Sequence, residues 1–272
     1  MHAASREALD TTRDALKAAL AANPAGGATG AKVGQEMFQV VEVLEDNRSL
    51  RVAVADTSAT VEARQDLVRG VFGWKIDQTT LDLLLAAVSS DWSNPRELRE
   101  GLIILGREAL LRSADEQGQL QTVEDELFRL SRIVAGDPEF EQALGDRTAD
   151  TAAKRALLAQ VLYGKVTAVT EALSSQAIAR PSGMPADDFM EISRQAAELR
   201  GRTVAVVTSA EALSEQQAAD LGGRLRSVYG REIAVHNDID PALMGGVVVR
   251  VGDEIIDGSV AGRLDALRRN LR

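Results

Sequence analysis

The chain has 272 residues, 45% of them apolar but only 3% aromatic, and its 31 basic and 41 acidic side chains leave a net charge of −10. That length supports a real core, which this composition makes from Ala, Val, Leu and Ile, favouring packed helices over an aromatic-rich sandwich. No segment is basic, which argues against a nucleic-acid partner held by phosphate contacts; there is no Cys, and His2 and His236 are the only histidines, which excludes disulfides, thiolate or imidazole-rich metal sites and most histidine-dependent triads.

The first residues carry Glu7, Asp10 and Asp14 and no continuous apolar stretch, so they do not read as a targeting signal. No run of 18 apolar residues occurs, and no membrane span is expected. Residues 5–22 predict a helix with Ser5 as N-cap and Leu9, Leu16 and Leu20 near one face. Asn23 to Gly30, with Pro24 and paired glycines, reads as a loop. Further helices are expected over 35–47, 61–72, 78–90, 95–117, 122–135, 149–163, 167–180 and 185–200, with Gly and Pro breakers between them.

This helical region contains a repeat. Shifted by 90 residues without gaps, 38–76 matches 128–166 through Phe38/Phe128, Ala53/Ala143, Asp56/Asp146, Ala59/Ala149, Ala63/Ala153, Leu67/Leu157, Val71/Val161 and Lys75/Lys165. The helical pattern Leu67, Val68, Val71, Phe72 recurs as Leu157, Leu158, Val161, Leu162, and Pro95 and Pro185 keep the same spacing. A duplicated helical bundle is the expectation. Under the same shift, 95–117 aligns backwards with 5–27 and forwards with 185–200, so this one helix can end the first unit and begin the second.

After Gly201 the pattern changes. Thr203 to Thr208 is a β-branched strand, Ser214 and Gln217 have capping-box spacing, and Ala218, Leu221, Leu225 and Val228 form a helical stripe ending at Gly230. Arg231 to Asn237 alternates, which places Ile233 and Val235 inward and His236 on an exposed face. Gly246–Val251 and Ile255-Ile256 form a hairpin around Gly252-Asp253-Glu254. Asp257-Gly258-Ser259 then caps a last helix with Val260, Leu264, Leu267 and Leu271 inward. The fold class is therefore mainly α: a helical bundle with a duplicated N-terminal extension, followed by a small α/β domain. The boundaries expected are 1–94, 95–202 and 203–272.

Signals for chemistry are weak. The stretch 26–34 (GGATGAKVG) lacks the Gly-Lys-Ser/Thr of a phosphate loop and follows no strand. The acidic runs at Glu124-Asp125-Glu126 and Asp187-Asp188 fall near helix starts, where solvated negative charge suits the macrodipole; Asp253-Glu254 is in a turn. Trp74 and Trp92 are expected to pack at loop–helix junctions. No catalytic, cofactor or metal residues emerge.

The C-terminal string is specific. Met244-Gly245-Gly246, the Val-rich strand, Gly252-Asp253, Ile256-Asp257-Gly258-Ser259-Val260 and Gly262-Arg263-Leu264 together resemble the delta subunit family of F-type ATP synthases, whose mitochondrial counterpart is the oligomycin-sensitivity-conferring protein. Residues 95–202 are similar to the family's six-helix domain, and 1–94 resemble the partly duplicated extension of actinobacterial forms. The resemblance implies a non-catalytic, cofactor-free stator. Its helical domain would hold segments of alpha subunits, and its C-terminal domain would hold peripheral-stalk subunit b, peripherally at the cytoplasmic face of the cell membrane. It implies no nucleic-acid partner. By family position the head-facing groove lies between helices 95–117 and 167–180, which points to Leu102, Leu105, Val169 and Leu173. The signature residues Gly245, Gly246, Gly252, Asp257, Gly258, Ser259, Gly262 and Arg263 are read as mainly structural. The residues alone also fit a helical adaptor unrelated to a rotary enzyme.

Overall fold

Element boundaries follow local chemistry in the computed structural model, which describes residues 1–23, 26–179, 181, 183–230, 232–241, 243, 245–251 and 254–260. The helices are α1 (Ala3–Ala21), α2 (Gly26–Asp46), α3 (Arg48–Val54), α4 (Val61–Phe72), α5 (Gln78–Ser89), α6 (Pro95–Glu116), α7 (Leu120–Ala135), α8 (Pro138–Gly145), α9 (Thr151–Leu162), α10 (Ala168–Ala179), α11 (Pro185–Leu199) and α12 (Glu215–Tyr229). The strands are β1 (Arg202–Ser209), β2 (Glu232–Ile239), β3 (Val247–Val251) and β4 (Glu254–Asp257). Side chains of Thr60, Asp77, Asn94, Asp137 and Ser214 accept hydrogen bonds from first-turn amides, and these bonds satisfy donors that a helix start leaves open. The capping box of Ser214 and Gln217 is formed, and Gly230 ends α12 at φ +68°. No helix among the described residues is long and apolar enough to cross a membrane.

The 90-residue shift reappears in the elements. α3, α4, α5 and α6 begin at 48, 61, 78 and 95; α8, α9, α10 and α11 begin at 138, 151, 168 and 185. Asp56 accepts from the amide and hydroxyl of Ser58, and Asp146 does the same for Thr148. The turns after α4 and α9 also match, with Lys75 N donating to Phe72 O at 2.8 Å and Lys165 N to Leu162 O at 2.9 Å. The short helices α3 and α8 are additions to the expected set; seven and eight residues are too few for a periodic pattern to stand out.

The expected loop over 23–30 is corrected: α2 begins at Gly26. Its glycines are contact points, since a Cβ on Gly30 would meet Ala109 O at 2.9 Å, and one on Gly34 would meet Gly106 O at 2.7 Å and Leu110 Cγ at 2.6 Å. The glycines let α2 and α6 approach more closely than side chains allow, and that packing outweighs their poor helix propensity.

The chain forms two compact units. The first takes residues 1–123 and 151–180. In its core Leu9, Leu16 and Leu20 of α1, Met37, Val40 and Leu44 of α2, and Leu81 and Leu84 of α5 surround Leu98, Leu102 and Leu105 of α6. Trp92 is buried, donating Nε1–H to Ala87 O at 2.8 Å, whereas Trp74 stands 78% exposed with Lys75 Nζ over its ring.

The second unit takes 124–150 and 181–272. Its sheet order is β2-β1-β3-β4; β1 and β2 are parallel, connected through α12, and β3 and β4 add antiparallel neighbours. Leu225 of α12 packs on Ala205, Val207, Val249 and Val251. The opposite face is covered too, because α11 packs on β1 and α7 reaches β2 through Glu124 and Phe128.

Candidate functional site

Among the described residues no three His, Cys, Asp or Glu side chains are grouped to hold a metal ion. The candidate sites are therefore surfaces, and the residues singled out from sequence fall in two places. Leu102 and Leu105 of α6 are fully buried in the first unit's core with α1, α2 and α5. Val169 and Leu173 of α10 are also buried, outside that cluster. The bond between α6 and α10 is polar: Arg107 Nε donates to Gln176 Oε1 at 2.7 Å, both side chains buried. Beside α10, facing α9, an open groove of about 270 Å³ is floored by Leu158 and Leu162.

In the second unit the signature residues build one turn. Gly245 and Gly246 hold φ of +110° and +81°, which L side chains rarely adopt. Gly245 O accepts from Val260 N at 3.0 Å, and Val247 O accepts from Gly258 N at 2.9 Å. A Cβ on Gly246 would lie 2.5 Å from Gly258 O, so the two halves of the signature meet backbone to backbone. The Asp257 carboxylate accepts from Ser259 N at 2.9 Å. Hydrogen bonds from the Ser259 hydroxyl first, and then its amide, hold it below the ordinary aspartate range. Ser259 is buried, while Ile255, Ile256 and Val260 are exposed on and beside β4. Gly252, Gly262, Arg263 and most of the expected last helix lie outside the described residues.

Sequence reasoning missed a third feature. Glu124 is buried rather than solvated, and His236 is buried rather than exposed. His236 Nε2 lies 2.9 Å from Glu124 Oε1, Arg200 donates to Glu124 Oε2 at 3.1 Å, and the Phe128 ring lies 4.3 Å from the imidazole. Burial pushes the Glu124 carboxyl up, but the bond and charge of His236, then those of Arg200, outweigh it and hold the group below the usual range. Nδ1 of His236 is buried and has no hydrogen-bond partner among the described residues. The strand alternation was right; the error was to leave one face to solvent. Ala234, two residues before His236 and also buried, was the available hint that helices cover both faces. This cluster joins α7, α11 and β2.

The family model described as ATP synthase delta (OSCP) subunit matches residues 108–271. The chain is 53% identical to ATP synthase subunit delta of Corynebacterium diphtheriae over 272 residues, covering 100% of both. It is 52% identical to that of Rhodococcus opacus over 275 residues, covering 100% of this chain and 99% of the relative, and 52% identical to that of Corynebacterium glutamicum strain R, covering 98% of each. The family model begins inside α6, yet these relatives align through the N-terminal repeat as well. With its C-terminal signature and its helical repeat both accounted for, the chain belongs to the ATP synthase delta (OSCP) subunit family.

Proposed function

We propose that this chain is a non-catalytic stator of a proton-translocating ATP synthase, joining the catalytic head to the peripheral stalk so that rotor torque is coupled to ATP synthesis. The observation that carries the reading is the full-length match to delta subunits, extension included. The partners are alpha subunits of the head and subunit b of the stalk, and the location is peripheral, on the cytoplasmic face of the cell membrane. Leu102, Leu105, Val169 and Leu173 act as the packed backing of the head-facing helices, holding their outer surfaces in place. The turn built by Gly245, Gly246, Asp257, Gly258 and Ser259 shapes the stalk-facing module, with Gly252, Gly262 and Arg263 in the same signature. The division of labour follows 1–94, 95–202 and 203–272, with an additional contact from the first segment. Two tethered contacts reinforce each other, because the second forms at an effective concentration on the order of millimolar.

Co-sedimentation of the full chain with purified head and with the soluble part of the stalk tests this. A ternary complex, with no ATP hydrolysis by the chain alone, is the expected result. Binding to neither partner, or ATPase activity lost on mutating a carboxylate of this chain, contradicts it.

A further inference from the structure

A short junction connects α11 to the sheet: Arg200 and Gly201 are all that separate it from β1. Gly201 has φ +70°, is exposed, and would have nothing within 4 Å of an added Cβ. That conformation stops the helix, and no packing around the glycine fixes the angle of the junction. A module joined in this way turns about the glycine unless contacts beside the junction hold it.

Those contacts are directional. Alternate residues of a strand share a face, and on β2 the helix-facing set is Ala234, His236 and Asp238. α7 meets them with Glu124, Phe128 and Arg132, a stripe spaced one helical turn apart. Glu124 Oε1 lies 2.9 Å from His236 Nε2, the Phe128 ring is 4.3 Å from the imidazole, and Arg132 is ion-paired with Asp238. α11 closes the third side. Arg200, the residue before Gly201, donates to Glu124 Oε2 at 3.1 Å, and Ser193 Oγ donates to Glu124 O at 2.9 Å. One acidic residue therefore ties both helices to the strand.

The other face of the sheet is sealed differently, by Leu225 on Ala205, Val207, Val249 and Val251. Apolar contact is non-directional, whereas hydrogen bonds to charged groups hold one geometry. Stability alone does not account for the polar cluster, because apolar side chains that replace a buried ion pair commonly do as well or better.

We propose that Glu124, His236 and Arg200, flanked by the Arg132–Asp238 pair, form a latch that holds the sheet against α7 and α11 and stops it from swinging about Gly201 under rotor load. Glu124 is its central positioning residue. The load-bearing role rests on the function proposed above; the latch itself does not.

The test uses the full chain, which has no cysteine of its own, so a single introduced thiol reports its own surroundings. Ala234→Cys probes the latched face of the sheet and Ala205→Cys the α12 face; both positions are buried. With the latch intact, both thiols react slowly with a maleimide. Glu124→Gln speeds Ala234→Cys by about tenfold or more, the effect of losing one hydrogen bond to a charged group, and leaves Ala205→Cys unchanged. Arg132→Gln alters a side chain that is 44% exposed and acts in the same direction, which keeps the test decisive should Glu124→Gln unfold. Equal rates for Ala234→Cys with and without these substitutions overturn the latch. So does a joint rise at both thiols, which marks the cluster as ordinary core.

A second arm tests the load. In membrane vesicles depleted of the native chain, the Glu124→Gln chain still joins head and stalk and leaves ATP hydrolysis unchanged, but proton-driven synthesis falls. A short bis-maleimide bridge between Arg132→Cys and Asp238→Cys restores synthesis in that variant. Unchanged synthesis, or no recovery on bridging, overturns the load-bearing role. If the wild-type chain joins neither head nor stalk, the stator reading fails while the thiol rates still decide the latch.

Discussion

Burying Glu124 takes a carboxylate out of water, and His236 and Arg200 return what hydration supplied. Removing the carboxylate would leave both donors unanswered in a buried site. Glu124→Ala is therefore expected to cost about 3–5 kcal/mol in urea unfolding, the range for breaking one side of a buried pair. Because its folded pKa lies below the ordinary value of 4.5, the stabilisation is full above about that pH and is lost as pH falls through the folded value. Glu124→Gln should flatten this part of the acid-unfolding profile; an unchanged profile would assign it to other carboxylates. Glycines separate in the same way. Gly246→Ala forces a Cβ toward the backbone of Gly258 at a positive φ and should cost at least about 1–3 kcal/mol. Gly70, inside α4 with nothing within 4 Å of an added Cβ, should gain about 0.5–1 kcal/mol as Ala. Thermal melts of the two variants that shift the same way would contradict this contrast.

At the scale of elements, α6 connects much of the first unit, touching α1, α2, α3, α5 and α10. Glycines set its approach to α2. Gly34→Val should force the helices apart or strain Leu110 and Gly106, with a loss of about 1–3 kcal/mol typical of overpacking; a melt equal to wild type would show that α2 shifts without cost. Most long helices were legible in the sequence because their leucines recur at helical period, Gly and Pro breakers separate them, and Ser214 announces the start of α12. α2 was not, since glycine's local signal for a loop is the same whether it marks a turn or a close helix contact, and only the facing Gly106 and Ala109 distinguish the two. His236 was misplaced for a similar reason: alternation identifies the two faces of a strand, but not which of them another element covers.

At the scale of the molecule, the repeat and the C-terminal signature were both legible, one through its fixed spacing and the other through glycines whose backbone geometry tolerates little else. The grouping of α8 and α11 with the sheet was not, because contacts such as α11 with β1 leave no periodic trace. The groove between α9 and α10 was likewise hidden, since Ala156, Ala159 and Ser175 are unremarkable until set beside Asp66, Arg69 and Leu85, their counterparts ninety residues earlier. The central claim is mechanical: this chain keeps the head from turning with the rotor. Its most direct test is proton-driven ATP synthesis in inverted membrane vesicles depleted of this chain and then given it back. The account predicts that synthesis is lost on depletion and restored by the full chain, while the detached head continues to hydrolyse ATP. Synthesis that persists without the chain would contradict it.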